Sequence, residues 1–263
     1  MLVEDDMNNF KVSVRAYDVK EDPEAHDIRR IENIGLDMGS LEVHYRRQGE
    51  ACFSSFRKFS VLWESPHLRE VVEPEGSIVF ISPGALSGKL EGSETAAAGK
   101  AFRKSLETST RIALMAWTIG SGIEEKISRY CAGKERVVGF LLDAAASLLL
   151  NEMHKIMRVL VREEAWSRFS LSPMAEHYPG VGRSGSSLIG HVLEISRSAC
   201  RSGIEVDNQK MIHPEKSQCS AVLLGEEKNA VILANSPCIP CPGKRCPYFQ
   251  LGGCHVDNPG REA

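Results

Sequence analysis

The chain has 263 residues, 42% of them apolar and 25% charged, which is enough apolar material for a core that needs no disulfides. Thirty-two Lys and Arg against 35 Asp and Glu give a net charge of −3, a balance that disfavours nucleic acid as a partner. The most apolar stretch, Val137–Leu150, contains Asp143 and is shorter than the roughly 20 residues of a membrane span, so we expect no membrane segment. Acidic residues at Glu4–Asp6, where a secretory signal carries positive charge, favour a cytoplasmic protein with reduced cysteines.

The N-terminal part of the chain mixes short apolar segments with charged turns. Leu41–Tyr45 and Ser77–Ile81 have the alternation typical of strands. Small and polar residues from 92 to 108 predict a surface helix and its entry loop. We therefore divide the chain near residue 95, into an N-terminal α/β segment (1–95), to which the sequence assigns no role, and a core (96–236).

A buried strand and two helices are predicted next. Ile112–Ile119 is a continuous apolar run that ends at Gly120–Gly122, as expected of a buried strand before a tight turn. A helix is expected from Ile123, where Glu124 and Glu125 suit the first turn. Glu135–Trp166 then has the apolar spacing of a long amphipathic helix.

Two polar residues lie on this long predicted helix. We expect His154 to be a half-buried helix residue rather than a metal ligand. Asp143 is on the apolar face and is predicted to be a hydrogen-bonded core carboxylate rather than a general base, because no second titratable group lies near it in sequence.

The remainder of the core is predicted as loop, helix and hairpin. Proline and glycine make residues 171–186 a loop, and Leu188–Arg197 again has helical spacing. Ser220–Leu224 and Ala230–Ala234 are strand candidates joined by a hairpin connection.

The C-terminal tail, 237–263, is irregular and concentrates four of the eight cysteines: Cys238, Cys241, Cys246 and Cys254. Thiolates are soft ligands, and four on one short segment can converge on a single metal centre. Tetrahedral zinc favours two short cysteine pairs, whereas iron–sulfur clusters accept varied spacing with proline beside the ligands. The spacing of two, four and seven intervening residues therefore favours a 4Fe-4S cluster over the alternative, zinc. Electron transfer and a structural staple are both open roles.

Four segments, in this order, resemble the activation domain of cobalamin-dependent methionine synthase, in particular its stand-alone relatives, some of which have a terminal cysteine cluster. They are Trp117–Ile127, similar to a strand that ends in a Thr-Ile-Gly turn; Leu142–Ser147, similar to a Leu-Asp-Ala helix; Tyr178–Gly182, similar to a Pro-Gly-Tyr loop; and Met211–Ala221, similar to a Met-x-x-Pro-x-Lys-Ser strand entry. The resemblance covers roughly residues 110–254.

The resemblance implies an α+β fold, a twisted and mostly antiparallel sheet with long covering helices. It also implies that the loop formed by Tyr178, Pro179, Gly180, Val181, Gly182 and Arg183 contacts S-adenosylmethionine. In the family an arginine of this loop grips the carboxylate of S-adenosylmethionine, and Glu176 stands at that position here. Arg168 and Arg183 are the candidates to replace it, so retained and lost binding of S-adenosylmethionine are both open.

The implied function is that of an accessory protein for reductive reactivation of a corrinoid protein. The sequence has no cobalt-ligating Asp-x-His-x-x-Gly segment, so the cobalamin is expected on a partner, a corrinoid-carrying protein or methyltransferase, with a separate redox donor. The alternative is a non-enzymatic module that binds a corrinoid protein, holds a structural zinc or iron–sulfur site and has lost S-adenosylmethionine binding. The sequence assigns no catalytic residue.

Overall fold

The computed structural model of the protein describes residues 9–18, 28–87, 105–179, 187–196, 203–209 and 211–226. The described strands are β1 (Asn9–Asp18), β2 (Ile28–Gly35), β3 (Glu75–Ile81), β4 (Arg111–Thr118), β5 (Ser172–His177), β6 (Glu205–Val206), β7 (Ile212–His213) and β8 (Ser217–Gly225). The described helices are α1 (Met38–Arg47), α2 (Glu50–Trp63), α3 (Pro66–Arg69), α4 (Pro83–Ser87), α5 (Gly122–Ala132), α6 (Arg136–Phe169) and α7 (Ser187–Ser196). Residues 105–108 are also helical.

Six strands form one sheet in the order β2-β1-β3-β4-β8-β5. Strands β1 and β3 are parallel, and the other four neighbouring pairs are antiparallel. The predicted α+β class with a twisted, mostly antiparallel sheet is confirmed. Strands from both sides of residue 95 share this sheet, and the division of the chain at residues 95 and 236 stays a prediction.

Strand β4 lies near the centre of the sheet and is covered on both faces. Ala113, Met115 and Trp117 pack in the layer that contains α2 and α6, whereas Ile112 and Leu114 pack in the layer that contains α7. Successive side chains of a strand point to opposite faces, so a strand between two layers is apolar without alternation. The prediction of a buried strand here is confirmed, as is the strand predicted over Ser77–Ile81.

Helix α6 covers one face of the sheet over its full length. Among the described residues it is the one helix long and apolar enough to cross a membrane, and 67% of its most apolar window is buried inside the protein. Packing against the sheet accounts for its apolar character. The predicted helices from Ile123 and over Glu135–Trp166 are confirmed, and the one over Leu188–Arg197 is confirmed as far as Ser196, the last described residue there.

The strand predicted over Leu41–Tyr45 is wrong, because these residues belong to helix α1. The Asp37 side chain caps this helix by accepting a hydrogen bond from the Ser40 backbone N–H, 2.9 Å away. Tyr45 stacks on Phe56 of α2 with ring centroids 5.2 Å apart. Leu41 is buried and Val43 is exposed, a pattern that also fits the helical period.

The loop predicted over 171–186 is wrong in its first part, where Ser172–His177 forms β5. Pro173 has no N–H to give to a sheet, but β5 is an edge strand of the described sheet, and its pairing with β8 is irregular between Pro173 and Ala175. Residues 180–186 lie outside the described residues, as do 92–104 of the predicted surface helix with its entry loop and the predicted strand Ala230–Ala234.

Candidate functional site

One end of the sheet brings together the turn after β4, the residues before β8 and the loop after β5. Thr118, the last residue of β4, pairs with Ser217, the first residue of β8. Strand β5 is antiparallel to β8, and its last residue, His177, pairs with Ala221. We call this end of the sheet the Thr118 end. Segments that are distant in sequence meet there.

Hydroxyl groups join β4 to β8 at the Thr118 end. The Ser217 hydroxyl donates to Thr118 Oγ1 over 2.8 Å, and the Gly120 N–H donates to the same oxygen over 3.1 Å. Thr118 Oγ1 in turn donates to the Lys216 carbonyl over 3.2 Å. Gly120 has φ of 87°, a conformation that favours glycine. The Thr-Ile-Gly turn is therefore fixed directly to the start of β8.

Lys216 joins the start of β8 to helix α6. Its Nζ lies 2.7 Å from Asp143 Oδ1 and donates to Ser147 Oγ over 3.0 Å. Its backbone N–H donates to Glu124 Oε1 over 2.8 Å, and burial raises the pKa of Glu124. The prediction that Asp143 is a core carboxylate is wrong, since its side chain is 50% exposed. Asp143 lies at the border between the apolar and the exposed face of α6, where its carboxylate contacts Lys216.

A buried polar network lies further along α6. His154 Nε2 lies 2.7 Å from Glu176 Oε1, and the two side chains are 1% and 2% exposed. The Ser220 hydroxyl donates to the same carboxylate oxygen over 2.8 Å. The imidazole stacks on Trp117, with ring centroids 5.0 Å apart. His154 is thus buried more deeply than its helical position predicted, and its ring is held on several sides.

Charge in this network centres on Glu176. Burial opposes its ionisation, but the imidazole of His154, the hydroxyl of Ser220 and the guanidinium of Arg158 outweigh burial, so the pKa of Glu176 lies below its usual value. Arg158 Nε lies 3.5 Å from Glu176 Oε2. Glu176 is therefore an ionised carboxylate that is satisfied inside the protein, and it does not face a ligand as a free charge.

Tyr178 connects the network to the start of the loop after β5. Its Oη lies 3.2 Å from His154 Nε2. Because Glu176 is ionised, the proton on Nε2 lies towards the carboxylate, and Tyr178 Oη accepts from the same N–H in a three-centre arrangement. The Tyr178 hydroxyl hydrogen then points away from the imidazole. The network therefore sets the orientation of the phenol at the base of the loop.

His177 precedes this tyrosine and points to the other side of the strand. Burial lowers the pKa of His177 to about 4, although the neighbouring Glu176 charge opposes the shift. This imidazole is neutral at physiological pH.

The residues predicted to contact S-adenosylmethionine are described in part. Tyr178 lies at the Thr118 end of the sheet, and Pro179 is buried beside it. Gly180, Val181, Gly182 and Arg183 lie outside the described residues, and the role predicted for this loop stays a prediction.

Arg168 does not lie near Tyr178. The prediction that Arg168 replaces the family's carboxylate-binding arginine is therefore wrong. Its guanidinium lies over the rings of Phe80 and Phe169, 5.7 and 5.4 Å from their centroids. Arg168 is fourteen positions after His154 on the same helix, which places it about 21 Å further along the axis.

The predicted metal ligands Cys238, Cys241, Cys246 and Cys254 lie outside the described residues. Within the described part of the chain, no group of three or more His, Cys, Asp and Glu side chains is arranged to hold a metal ion. The iron–sulfur cluster and the alternative zinc site stay predictions.

Sequence reasoning missed the partnership of His154, Arg158 and Glu176. The available signals were His154 and Arg158, four positions apart on an amphipathic helix, and the alternation of Glu176 and Tyr178 that is typical of a strand. Either pattern alone fits a helix surface or a turn equally well.

The described residues define an α+β domain in which a mixed six-stranded sheet and a long helix enclose a buried His–Glu pair. No protein-family model matches the chain. No curated protein matches it either. Among solved structures, the crystal structure of the MetH reactivation domain bound to AdoHcy aligns with it at 11% identity and a TM-score of 0.44, covering 67% of this chain and 67% of that chain. Membership of the methionine synthase activation-domain family stays a prediction.

Proposed function

We propose that this protein supports the reductive reactivation of a corrinoid cofactor carried by a partner protein, and that it binds S-adenosylmethionine beside Tyr178. The observation that carries the proposal is the contact between segments that separately resemble the activation-domain family. The Thr-Ile-Gly segment meets the Lys-Ser segment through Ser217 and Thr118, 2.8 Å apart. The Leu-Asp-Ala segment meets it through Lys216 and Asp143, 2.7 Å apart.

The ligand needs a cation for its carboxylate, and Arg158 supplies one. Arg158 is one helical turn from His154, which contacts Tyr178. Its Nε faces Glu176, and its side chain is 28% exposed, so the terminal nitrogens of its guanidinium remain as donors at the rim of the network. Glu176, which stands at the position of the family's arginine, is thereby paired inside the protein and does not repel the carboxylate of the ligand.

S-adenosylmethionine would supply the methyl group transferred to cobalt after one electron from a separate donor has reduced cobalt(II). The part of this chain is to bind and orient the methyl donor. Tyr178 and Arg158 are held for that purpose by His154 and Glu176. The cysteine-rich tail, with its predicted 4Fe-4S cluster, would act as an electron relay or as a docking staple for the corrinoid protein.

Titration calorimetry of the full chain with S-adenosylmethionine under anaerobic conditions tests the proposal. A charge-assisted hydrogen bond contributes about 1.5 to 3 kcal/mol, so we expect Arg158→Gln to weaken binding by about tenfold or more. Arg162→Gln, an exposed arginine one turn further along α6, is the control and should bind as the wild type does. Equal binding by both variants would contradict the role of Arg158.

A second function, a corrinoid-protein-binding module without S-adenosylmethionine, is favoured by one observation. Glu176 occupies the position of the family's arginine and is fully paired inside the protein. The same titration separates the two functions. No heat with S-adenosylmethionine, together with tight binding to a purified corrinoid protein, supports the module, whereas heat that is lost in Arg158→Gln supports the first proposal.

A further inference from the structure

A depression of about 220 Å³ lies at the C-terminal end of α5 and the turn that leads to α6. We call it the α5 depression, and the residues that line it are Lys126, Arg129, Tyr130, Gly133, Lys134 and Glu135. Sites for drug-sized ligands enclose roughly 300 to 1,000 Å³. The α5 depression therefore has the size for one charged group and a few further atoms.

The lining of the α5 depression is positively charged. Lys126, Arg129 and Lys134 make no ion pair and no side-chain hydrogen bond with any described residue. Glu135 is the acidic residue of the lining, and its Oε1 lies 3.0 Å from Nζ of Lys58, a residue of α2 outside the lining. Since the charge of Glu135 is already offset, the three cations face the depression without a counter-charge from its lining.

The position of the cations on α5 is not explained by the helix alone. Lys126 and Arg129 are three positions apart and share one face of the helix, where like charges repel. The helix dipole favours a cation in the last turn, which contains Arg129 but not Lys126. A bound anion would remove the repulsion between the two side chains.

Tyr130 adds a neutral donor to this lining. Its ring packs against the core layer that contains α2 and α6, which restricts the motion of the side chain. Its hydroxyl group makes no hydrogen bond with any described residue. A phenol can donate one hydrogen bond to an anion, so the lining offers a fixed donor beside its mobile cations.

We propose that the α5 depression binds a phosphate monoester, carried either by a small soluble molecule or by a lipid headgroup. A phosphate monoester has a charge of about −1.5 to −2 at neutral pH and three acceptor oxygens. A guanidinium can donate two hydrogen bonds to one phosphate, and ammonium groups act as point charges. A carboxylate or a phosphodiester has one charge and two free oxygens, and it would leave part of this lining unmatched. The lining includes neither Tyr178 nor Arg158, so the inference does not depend on the function proposed above.

Methyl phosphate and dimethyl phosphate distinguish a monoester site from general attraction of anions. Two-dimensional 1H–15N NMR of the full chain, titrated at physiological ionic strength, measures both affinity and location. We expect one saturable site for methyl phosphate with a Kd of about 1 mM or lower, shifts of the amides of residues 126–135, and at least tenfold weaker binding of dimethyl phosphate. No saturation by methyl phosphate, or equal binding of the two esters, would overturn the proposal.

Lys126→Gln/Arg129→Gln tests the residues held responsible. The matched control is Arg47→Gln/Arg162→Gln, which removes the same charge from two exposed helical arginines that have no ion pair with any described residue. We expect the first variant to weaken binding of methyl phosphate at least tenfold and the control to change it less than twofold. Without ligand, the first variant should unfold at or above the wild-type temperature, because neither side chain loses a partner. Lys134→Gln, outside both helices, should weaken binding at least threefold, and equal effects of the two double variants would contradict the site.

Vesicle sedimentation assigns the source of the phosphate. Phosphatidic acid carries a monoester headgroup and phosphatidylglycerol a diester, and each is mixed into phosphatidylcholine vesicles. Sedimentation with phosphatidic acid that is lost in Lys126→Gln/Arg129→Gln supports the site with a lipid ligand. Sedimentation with neither lipid, together with binding of methyl phosphate, supports it with a soluble ligand. Equal sedimentation with both lipids that is lost in the same variant, or tighter binding of a short DNA duplex, would refute a monoester site.

Discussion

Glu176→Gln tests whether the buried network is held together by charge. The substitution keeps the size of the side chain and the oxygen that accepts from His154 and Ser220, at 2.7 and 2.8 Å. It removes the negative charge and places an amide donor where Oε2 faces Arg158, 3.5 Å away. Two donors then face each other in a site where the glutamate side chain is 2% exposed.

The expected cost follows from this burial. Removing one partner of a buried ion pair while the other remains costs about 3 to 5 kcal/mol. In a chain of this size 1 kcal/mol moves the unfolding midpoint by about 2 to 4 °C, so we expect Tm to fall by roughly 10 °C. The control is Glu152→Gln, whose ion pair with Lys155 on the same helix is partly exposed, and whose cost should stay below about 1 kcal/mol.

Urea unfolding followed by far-UV circular dichroism measures the loss of unfolding free energy in Glu176→Gln and in Glu152→Gln. The pH dependence of this loss gives a second criterion. The pKa of Glu176 in the folded protein lies below the ordinary 4.5, so its contribution to stability is present above pH 4.5 and is lost as pH falls through the folded value. The difference between wild type and Glu176→Gln should therefore be full at pH 7 and should shrink below pH 4.5. A variant within 1 kcal/mol of the wild type at pH 7 would refute the charged network.

Three further predictions concern other parts of the chain. The pKa of His177 falls from 6.5 to about 4 in the folded protein, so the wild type should lose stability as pH falls from 6.5 to 4. The loss is at most about 3 kcal/mol, or about 1 to 2 kcal/mol after solvent screening of a half-buried ring. In urea unfolding measured over this pH range, His177→Gln should remove most of the pH dependence. Lys216→Met removes the contacts with Asp143 and Ser147 and should cost about 1 to 2 kcal/mol; a double-mutant cycle with Asp143→Asn that gives no coupling energy would contradict the ion pair. Cys241→Ser should abolish absorption near roughly 400 nm and bound iron in anaerobically purified protein, whereas Cys52→Ser should change neither, and a colourless wild type containing zinc would rule out the iron–sulfur cluster.

Several elements of the fold could be predicted because burial leaves a compositional trace in sequence. The run Ile112–Trp117 is apolar at every position because β4 is covered on both faces. Helix α6 has apolar residues at spacings of three and four since one side of it packs on the sheet. The strand prediction for Leu41–Tyr45 failed because five alternating residues fit a strand and a helix equally well. The features that favour the helix lie outside these five residues, in the Asp37 cap and in Phe56, on which Tyr45 packs.

The site was less predictable because its contacts join residues far apart in sequence. Sequence patterns identified Tyr178 and Lys216 within separate segments, but no local pattern specifies that His154 meets Glu176, 22 positions away, or that Glu176 meets Ser220, 44 positions away. These pairings depend on the strand order, in which β8 lies between β4 and β5. A polar residue on an apolar helix face signals only that some partner is needed.

Two of the polar contacts between helix α6 and the sheet involve β8 or the residue before it, and together they fix the position of the helix along this strand. Asp143 contacts Lys216 just before β8, and His154 reaches Ser220 of β8 through Glu176. The two helix positions are eleven residues apart, a rise of about 16 Å, and the two positions at β8 are four residues apart, a span of about 13 Å. A shift of α6 by one residue would break both attachments at once, leaving an uncompensated carboxylate in the interior at Glu176. The polar pairs therefore select a single register among those that the apolar contacts alone would allow, and they hold Tyr178 at a fixed distance from the Lys216 contact.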